Sequence, residues 1–119
     1  MAGVKRQHAE FLNGVPELVV LRLLASREMY GYEIVNEIRK TSDQVLTFGE
    51  GVIYPMLHSL EKNKLLGTRK IMVNGRPRIY YRVTARGRKK LAASVAQWQR
   101  VTHAVQQVLE GVRGEAAMP

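Results

Sequence analysis

The stretch KLLGTRKIMVNGRPRIYYRVTARGRKK, residues 64–90, decides the fold. It carries two runs with strand character, Leu66 to Val73 and Arg78 to Val83. Between them stands Asn74-Gly75, the pair best suited to a two-residue hairpin turn whose central residues both take positive φ. On the second run Ile79, Tyr81 and Val83 alternate with Arg78, Tyr80 and Arg82, which predicts one core-facing side and one basic side. The same stretch holds ten basic residues and no acid: Lys64, Arg69, Lys70, Arg76, Arg78, Arg82, Arg86, Arg88, Lys89 and Lys90.

Three helical patterns precede this hairpin. The first runs from Leu12 to Ala25. Pro16 suits an opening turn, Glu17 complements the positive end of the helix dipole, and Val15, Leu18, Val19, Leu21, Leu23 and Ala25 spread a broad apolar face. Ser26 to Met29 reads as a short polar break. The second helix spans Gly31 to Thr41, with Tyr30 at its entrance and Ile34 and Ile38 four apart on one face. Its acids come early and its bases late, as the dipole favours. Ser42 to Phe48 reads as a connector in which Val45, Leu46 and Phe48 form a short extended piece. The third helix spans Glu50 to Lys62, opened by Gly49 and Gly51. Ile53, Met56, Leu57 and Leu60 make its inward face, which turns Tyr54, Pro55, His58, Ser59 and Lys62 outward.

After the hairpin, Thr84 reads as the N-cap of a last helix reaching about Glu110, with Gly111 as its stop and a frayed tail from Gly114. Leu91, Val95, Trp98, Thr102, Val105 and Leu109 recur at alternating steps of four and three, a heptad-like seam. A second stripe holds Val101, Val105, Val108 and Val112. A helix with two apolar stripes needs two neighbours. Its own domain covers one near the start, and a second copy of the chain is the simplest source of the other. The fold class expected is mainly α with a small β-hairpin. A winged helix-turn-helix domain covers residues 12–83 and a C-terminal dimerisation helix residues 84–111.

The whole chain has 119 residues and a net charge of +9, enough for one small domain. The charge is lopsided: residues 1–63 carry 7 bases and 8 acids, residues 64–119 carry 12 and 2. Such a field calls for a polyanionic partner, double-stranded DNA first and an anionic membrane surface second. There is no cysteine, which excludes disulfides, thiolate metal sites and a thiol nucleophile. No apolar run is long enough to span a bilayer and no signal segment is visible, so the expected location is the cytoplasm. The three histidines form no metal-ligand grouping, and Gly49-Glu50-Gly51 lacks the lysine of a phosphate-cradling loop. Neither an enzyme nor a cofactor is expected.

Helix, helix, helix, hairpin is the order of a winged helix-turn-helix, in which the third helix lies in the major groove and the hairpin reaches the flanking backbone. In the wing, Lys70, Asn74, Gly75, Arg76 and Arg78 are expected to meet phosphates, which supplies salt-sensitive affinity without reading sequence. Base reading falls to the outward face of the third helix, where Tyr54 and His58 offer polar atoms and Lys62 suits a phosphate. Two other readings stand beside this one: a winged-helix adaptor that docks a protein, and a non-specific nucleic-acid binder.

Tyr30-Gly31-Tyr32-Glu33-Ile34, Ile53-Tyr54-Pro55-Met56-Leu57, Leu60-Glu61 and Tyr80-Tyr81-Arg82-Val83-Thr84-Ala85-Arg86-Gly87, occurring together and in this order, resemble the PadR family of bacterial transcriptional regulators. The resemblance runs from Leu12 to Leu109 and is to the compact members with a single C-terminal helix. It implies a homodimer, usually a repressor, on an inverted-repeat operator. The recognition helix would be Gly51 to Lys62 and the wing Ile71 to Tyr80. It also implies release from DNA by a small aromatic or hydrophobic effector, for which Trp98, flanked by Val95 and Val101 near a two-fold axis, is the expected sandwich. The chain departs from the family pattern in three places. Met29 replaces a frequent proline. Lys64 replaces a common glycine after the third helix, leaving Asn63 to take the left-handed turn. Glu50 brings an unusual charge just before the recognition helix.

Overall fold

The computed structural model describes the backbone of residues 2–117 and the side chains of residues 14–111. In chain order the elements are α1 (Ala2–Ser26), β1 (Met29–Tyr30), α2 (Gly31–Thr41), α3 (Glu50–Lys62), β2 (Leu66–Val73), β3 (Arg76–Val83) and α4 (Ala85–Ala117). The fold is the expected winged helix: mainly helical, with a small antiparallel sheet in the order β1-β3-β2.

The hairpin forms as its turn dictates. Asn74 and Gly75 take φ of 52° and 78°, the left-handed pair that matches the twist of the flanking strands. Leu66 faces Val83 and Val73 faces Arg76, so β3 begins two residues before Arg78. Pro77 is tolerated there because β1 reaches β3 only at Tyr80 and Tyr81, leaving the tip two-stranded.

The break expected at Ser26 to Met29 is not wholly polar. Met29 is 1% exposed and pairs with Tyr81, while Tyr30 pairs with Tyr80. Two residues of strand thus bolt the head of α2 to the wing. A strand this short has no periodicity to read.

The core is apolar throughout; among the described residues no polar or charged side chain is buried. Helix α1 contributes Val20, Leu21 and Leu24, with Val19 and Leu23 packed beside them. With Ala25 packed there as well the inward face is broad, as expected, but two of its most buried members, Val20 and Leu24, lie outside the residues that the pattern singles out. Ile34, Val35 and Ile38 of α2 meet Ile53, Leu57 and Leu60 of α3, as their spacing predicts. Leu66, Tyr81 and Val83 close the core from the sheet.

Two helix ends are shaped by left-handed residues. After α3, Lys64 takes φ 63° while Asn63 stays right-handed at φ −86°. Lys64 N–H donates to the Glu61 carbonyl at 2.9 Å and Leu65 N–H to the Leu60 carbonyl at 2.9 Å. This is a Schellman closure, and it puts the left-handed position one residue later than Asn63. After α2, Asp43 and Gln44 are both left-handed, with Gln44 N–H donating to the Arg39 carbonyl at 2.7 Å. The Ser42 hydroxyl donates to the Ile38 carbonyl at 2.8 Å and accepts from Leu46 N–H at 3.0 Å. This tight turn replaces the extended piece expected at Val45 to Phe48. It leaves Val45 exposed while Leu46 and Phe48 pack on the core.

Both terminal helices outrun their expected limits. Pro16 lies inside α1 rather than in its first turn, because the helix begins at Ala2. Gly111 does not stop α4, which continues to Ala117; among the described residues Gly75 is the glycine with positive φ, so Gly111 lacks the left-handed backbone of a helix stop. Val112 lies outside the described side chains. The start of α4 is as predicted: Thr84 Oγ1 accepts from Gly87 N–H at 3.0 Å, the N-cap contact. The same hydroxyl lies 2.8 Å from the Lys64 carbonyl and 3.0 Å from that of Leu65.

Gly87 lets α4 approach the chain leaving α3. A Cβ at this position would stand 2.2 Å from the Leu65 carbonyl oxygen and 2.6 Å from a Val83 methyl. Gly87→Ala is therefore expected to cost about 1–3 kcal/mol, read as a drop in thermal midpoint. Gly51→Ala meets nothing within 4 Å and should leave the midpoint unchanged or raise it by up to about 1 kcal/mol equivalent.

Candidate nucleic-acid interface

The positive charge of residues 64–90 is on the surface. Nine of its ten cations are exposed, and Arg78 is half-buried. Lys70, Arg76 and Arg82 lie on the hairpin, while Arg86, Arg88, Lys89 and Lys90 line the first two turns of α4. Arg69 is engaged: its Nε donates to Glu28 Oε2 at 3.0 Å, an exposed pair that holds the Glu28 carboxyl below its ordinary value. Arg69 thus offers less free charge than its neighbours.

Arg78 is not a loose cation at the wing tip. Its guanidinium lies 4.2 Å from the centre of the Tyr30 ring, in cation–π geometry. Tyr30 in turn meets Tyr80 edge to face, with ring centres 5.5 Å apart. Strand β1 creates this stack by drawing Tyr30 beside β3. Ile79, expected on the core-facing side, is 39% exposed, because the hairpin projects past the core at that level. Asn74, Gly75 and Arg76 form the exposed tip.

Helix α3 presents the outward face that its periodicity predicts, with one exception. Pro55, His58, Ser59 and Lys62 are exposed. Tyr54 is half-buried and packs over Gly31, where a Cβ would fall 2.6 Å from its ring atoms. Burial, with Glu50 and Tyr30 nearby, pushes the Tyr54 hydroxyl above its ordinary pKa, so it remains a protonated donor at neutral pH. Tyr54 is a packing residue between α3 and α2 with only its rim available. Val52, not anticipated from the sequence, is 47% exposed in the first turn. Its position outside the Ile53, Leu57, Leu60 spacing is the signal that could have found it. The lower end of α3 is tied to the wing by Thr68 Oγ1, which donates to Glu61 Oε2 at 2.8 Å.

The seam on α4 divides in two. Its early members Leu91 and Val95 are half-buried, as is Val101 of the second stripe, and α4 packs along α1. From Trp98 on the seam is exposed: Trp98 is 36% exposed, Val105 52% and Leu109 59%. The Thr102 hydroxyl donates back to the Trp98 carbonyl at 2.9 Å, so its polar atom is satisfied within the helix. An apolar cavity of about 390 Å³ opens between α1, α2 and α4, bordered by Leu18, Val19, Leu23, Leu46 and Val95. Val95 lines it; Trp98 and Val101 do not, so one cavity does not unite the three. Among the described residues there is no cluster of histidine and carboxylate side chains able to hold a metal, and no helix long and apolar enough to cross a membrane.

Comparison with known proteins gives the same picture. Residues 20–93 match the transcriptional regulator PadR-like family. A transcriptional regulator of Mycobacterium tuberculosis is 34% identical over 82 residues, which cover 69% of this chain and 74% of that protein. Among solved structures, a transcriptional regulator from Clostridium thermocellum superposes with a TM-score of 0.75 at 27% identity, covering 81% of this chain and 91% of the other. A PadR-like transcriptional regulator from Bacillus cereus superposes with a TM-score of 0.71 at 31% identity, covering 84% and 96%. All three are described as regulators of transcription. With the winged fold, the basic hairpin and a family match over most of its length, the chain belongs to the PadR-like family of DNA-binding transcriptional regulators.

Proposed function

We propose that two copies of the chain, joined through α4, bind an inverted-repeat operator and repress transcription. The observation that carries this reading is the acid-free run of exposed cations on the wing and the root of α4, beside the outward face of α3. In this reading Lys70, Asn74, Gly75 and Arg76 contact phosphates. Arg78, stacked on Tyr30, offers a phosphate contact held at a fixed height. His58 and Ser59 face base edges with Pro55 exposed beside them, Lys62 meets the backbone, and Tyr54 steadies the helix against α2. Such contacts fix register and make affinity fall with salt.

The exposed Trp98, Val105 and Leu109, in line with Leu91, Val95 and Thr102, support a helix-to-helix seam between copies. Two recognition helices must then stand about 34 Å apart to enter successive major grooves. A small aromatic or hydrophobic effector held by Trp98, with Val95 and Val101, would act by favouring a dimer in which that spacing is lost. The adaptor reading has no use for so many uncompensated cations, and a single-strand RNA binder has no need of paired recognition helices.

Selection of bound sequences from random duplex DNA should return a palindrome. Arg76→Ala is expected to weaken binding to all duplexes and to flatten the salt dependence by about one unit of slope. Retained slope, or preference for single-stranded RNA in competition, would count against the assignment. Val105→Glu with Leu109→Glu should convert a particle of twice the chain mass into a monomer in sedimentation, with the helical circular dichroism of the winged domain preserved. Planar aromatic dyes should quench Trp98 fluorescence and lower operator affinity in the same titration; an unchanged emission removes the effector site.

A further inference from the structure

Helix α3 has an unusual inventory for a helix that reads bases. Its thirteen residues, EGVIYPMLHSLEK, contain no arginine, asparagine or glutamine. Arginine with guanine and asparagine or glutamine with adenine are therefore closed to it, and its one cation, Lys62, stands in the last turn, away from the N-terminal half that approaches base edges. Its exposed face offers apolar surface in their place. Val52 is 47% exposed, and Pro55, one turn on, is exposed as well. Ser59 continues the same stripe at the next turn, and Lys62 follows three residues later.

Neither apolar residue serves the fold. The core takes Ile53, Leu57 and Leu60 from this helix and nothing from Val52 or Pro55. Valine is a mediocre helix former, and a proline at the sixth position removes a backbone donor from the ladder. Both lie in the N-terminal half of the helix, the part that approaches base edges in helix-turn-helix proteins. Glu50 opens the helix beside Val52, Lys62 and Lys64 stand at the far end, and Lys70 and Arg76 lie on the hairpin that follows. An apolar strip that leads to cations at the end of its helix complements a major groove, whose walls are phosphate and whose floor carries one apolar group, the C5-methyl of thymine.

We propose that Val52 and Pro55 form a thymine-methyl contact, so that the protein recognises its half-sites by burying methyl groups rather than by bidentate hydrogen bonding. This deepens the reading in which α3 enters the major groove and rests on it. Burying one methyl against an apolar side chain corresponds to roughly a three- to fivefold gain in affinity.

The test uses duplexes recovered by selection, in which each thymidine is replaced singly by deoxyuridine. This removes the methyl and leaves every hydrogen-bonding atom in place. The wild-type protein is expected to lose about three- to fivefold in affinity at one or two positions of each half-site and nothing elsewhere. With Val52→Ala, which is surface-exposed and favours helix, the discrimination at one of those positions should fall below twofold. The duplex carrying deoxyuridine there should bind the variant and the wild type nearly alike. The deoxyuridine series on the wild-type protein stands without any variant, and circular dichroism checks that Val52→Ala is folded. Absence of any methyl-sensitive position overturns the proposal while leaving operator binding intact, as does an undiminished penalty in folded Val52→Ala. Failure of the wild-type protein to bind any duplex overturns the underlying assignment together with it.

Discussion

The Leu65 carbonyl is the point on which the two parts of the molecule turn. It accepts Thr84 N–H at 3.1 Å, lies 3.0 Å from the Thr84 hydroxyl, and sits where a side chain on Gly87 would have to go. Leu65 ends the Schellman closure of α3, and Thr84 both follows β3 and caps α4. One oxygen therefore joins the end of the exposed helix, both ends of the hairpin and the start of the longest helix. The direction in which α4 leaves the winged domain is set here, since the helix cannot tilt away without stranding the capping hydroxyl.

A second constraint acts at the other end of α3. Strand β1 pairs only two residues with β3, but those two place Met29 in the core and Tyr30 under Arg78. Tyr54 fills the space that Gly31 leaves, so α3 is pressed against the α2 entrance. The wing and α3 are thereby held to a common base. Flexible surface lysines could supply the same charge, but they would pay more entropy on being ordered than a guanidinium already seated on a ring.

The periodic parts of the chain were legible. Helices α2 and α3, the Asn74-Gly75 hairpin and the Thr84 cap follow from local pattern because each rests on contacts within a few residues. What escaped depends on partners far along the chain. Met29 looked like part of a polar break because its strand partner is Tyr81. The apolar alternation of β3 assigned Ile79 to the core, but alternation says which face a residue takes and not whether anything covers it. Asn63 carries the stronger left-handed preference, yet closure of α3 falls one step later, on Lys64, where the hydrogen-bond geometry requires it. Tyr54 points outward by periodicity alone, and only the missing side chain of Gly31 turns it into a packing residue. Val52 carries no polar atom, so only its place off the Ile53, Leu57, Leu60 spacing marks it as a surface residue.

The core and the outer face of α3 share no side chains. Ile53, Leu57 and Leu60 carry the packing, while Val52, Pro55, His58, Ser59 and Lys62 bury little or nothing. Substitutions on that outer strip leave folding free energy almost untouched. A duplicated copy of the gene can therefore drift toward new target sites through a succession of stable proteins, with the scaffold inherited unchanged.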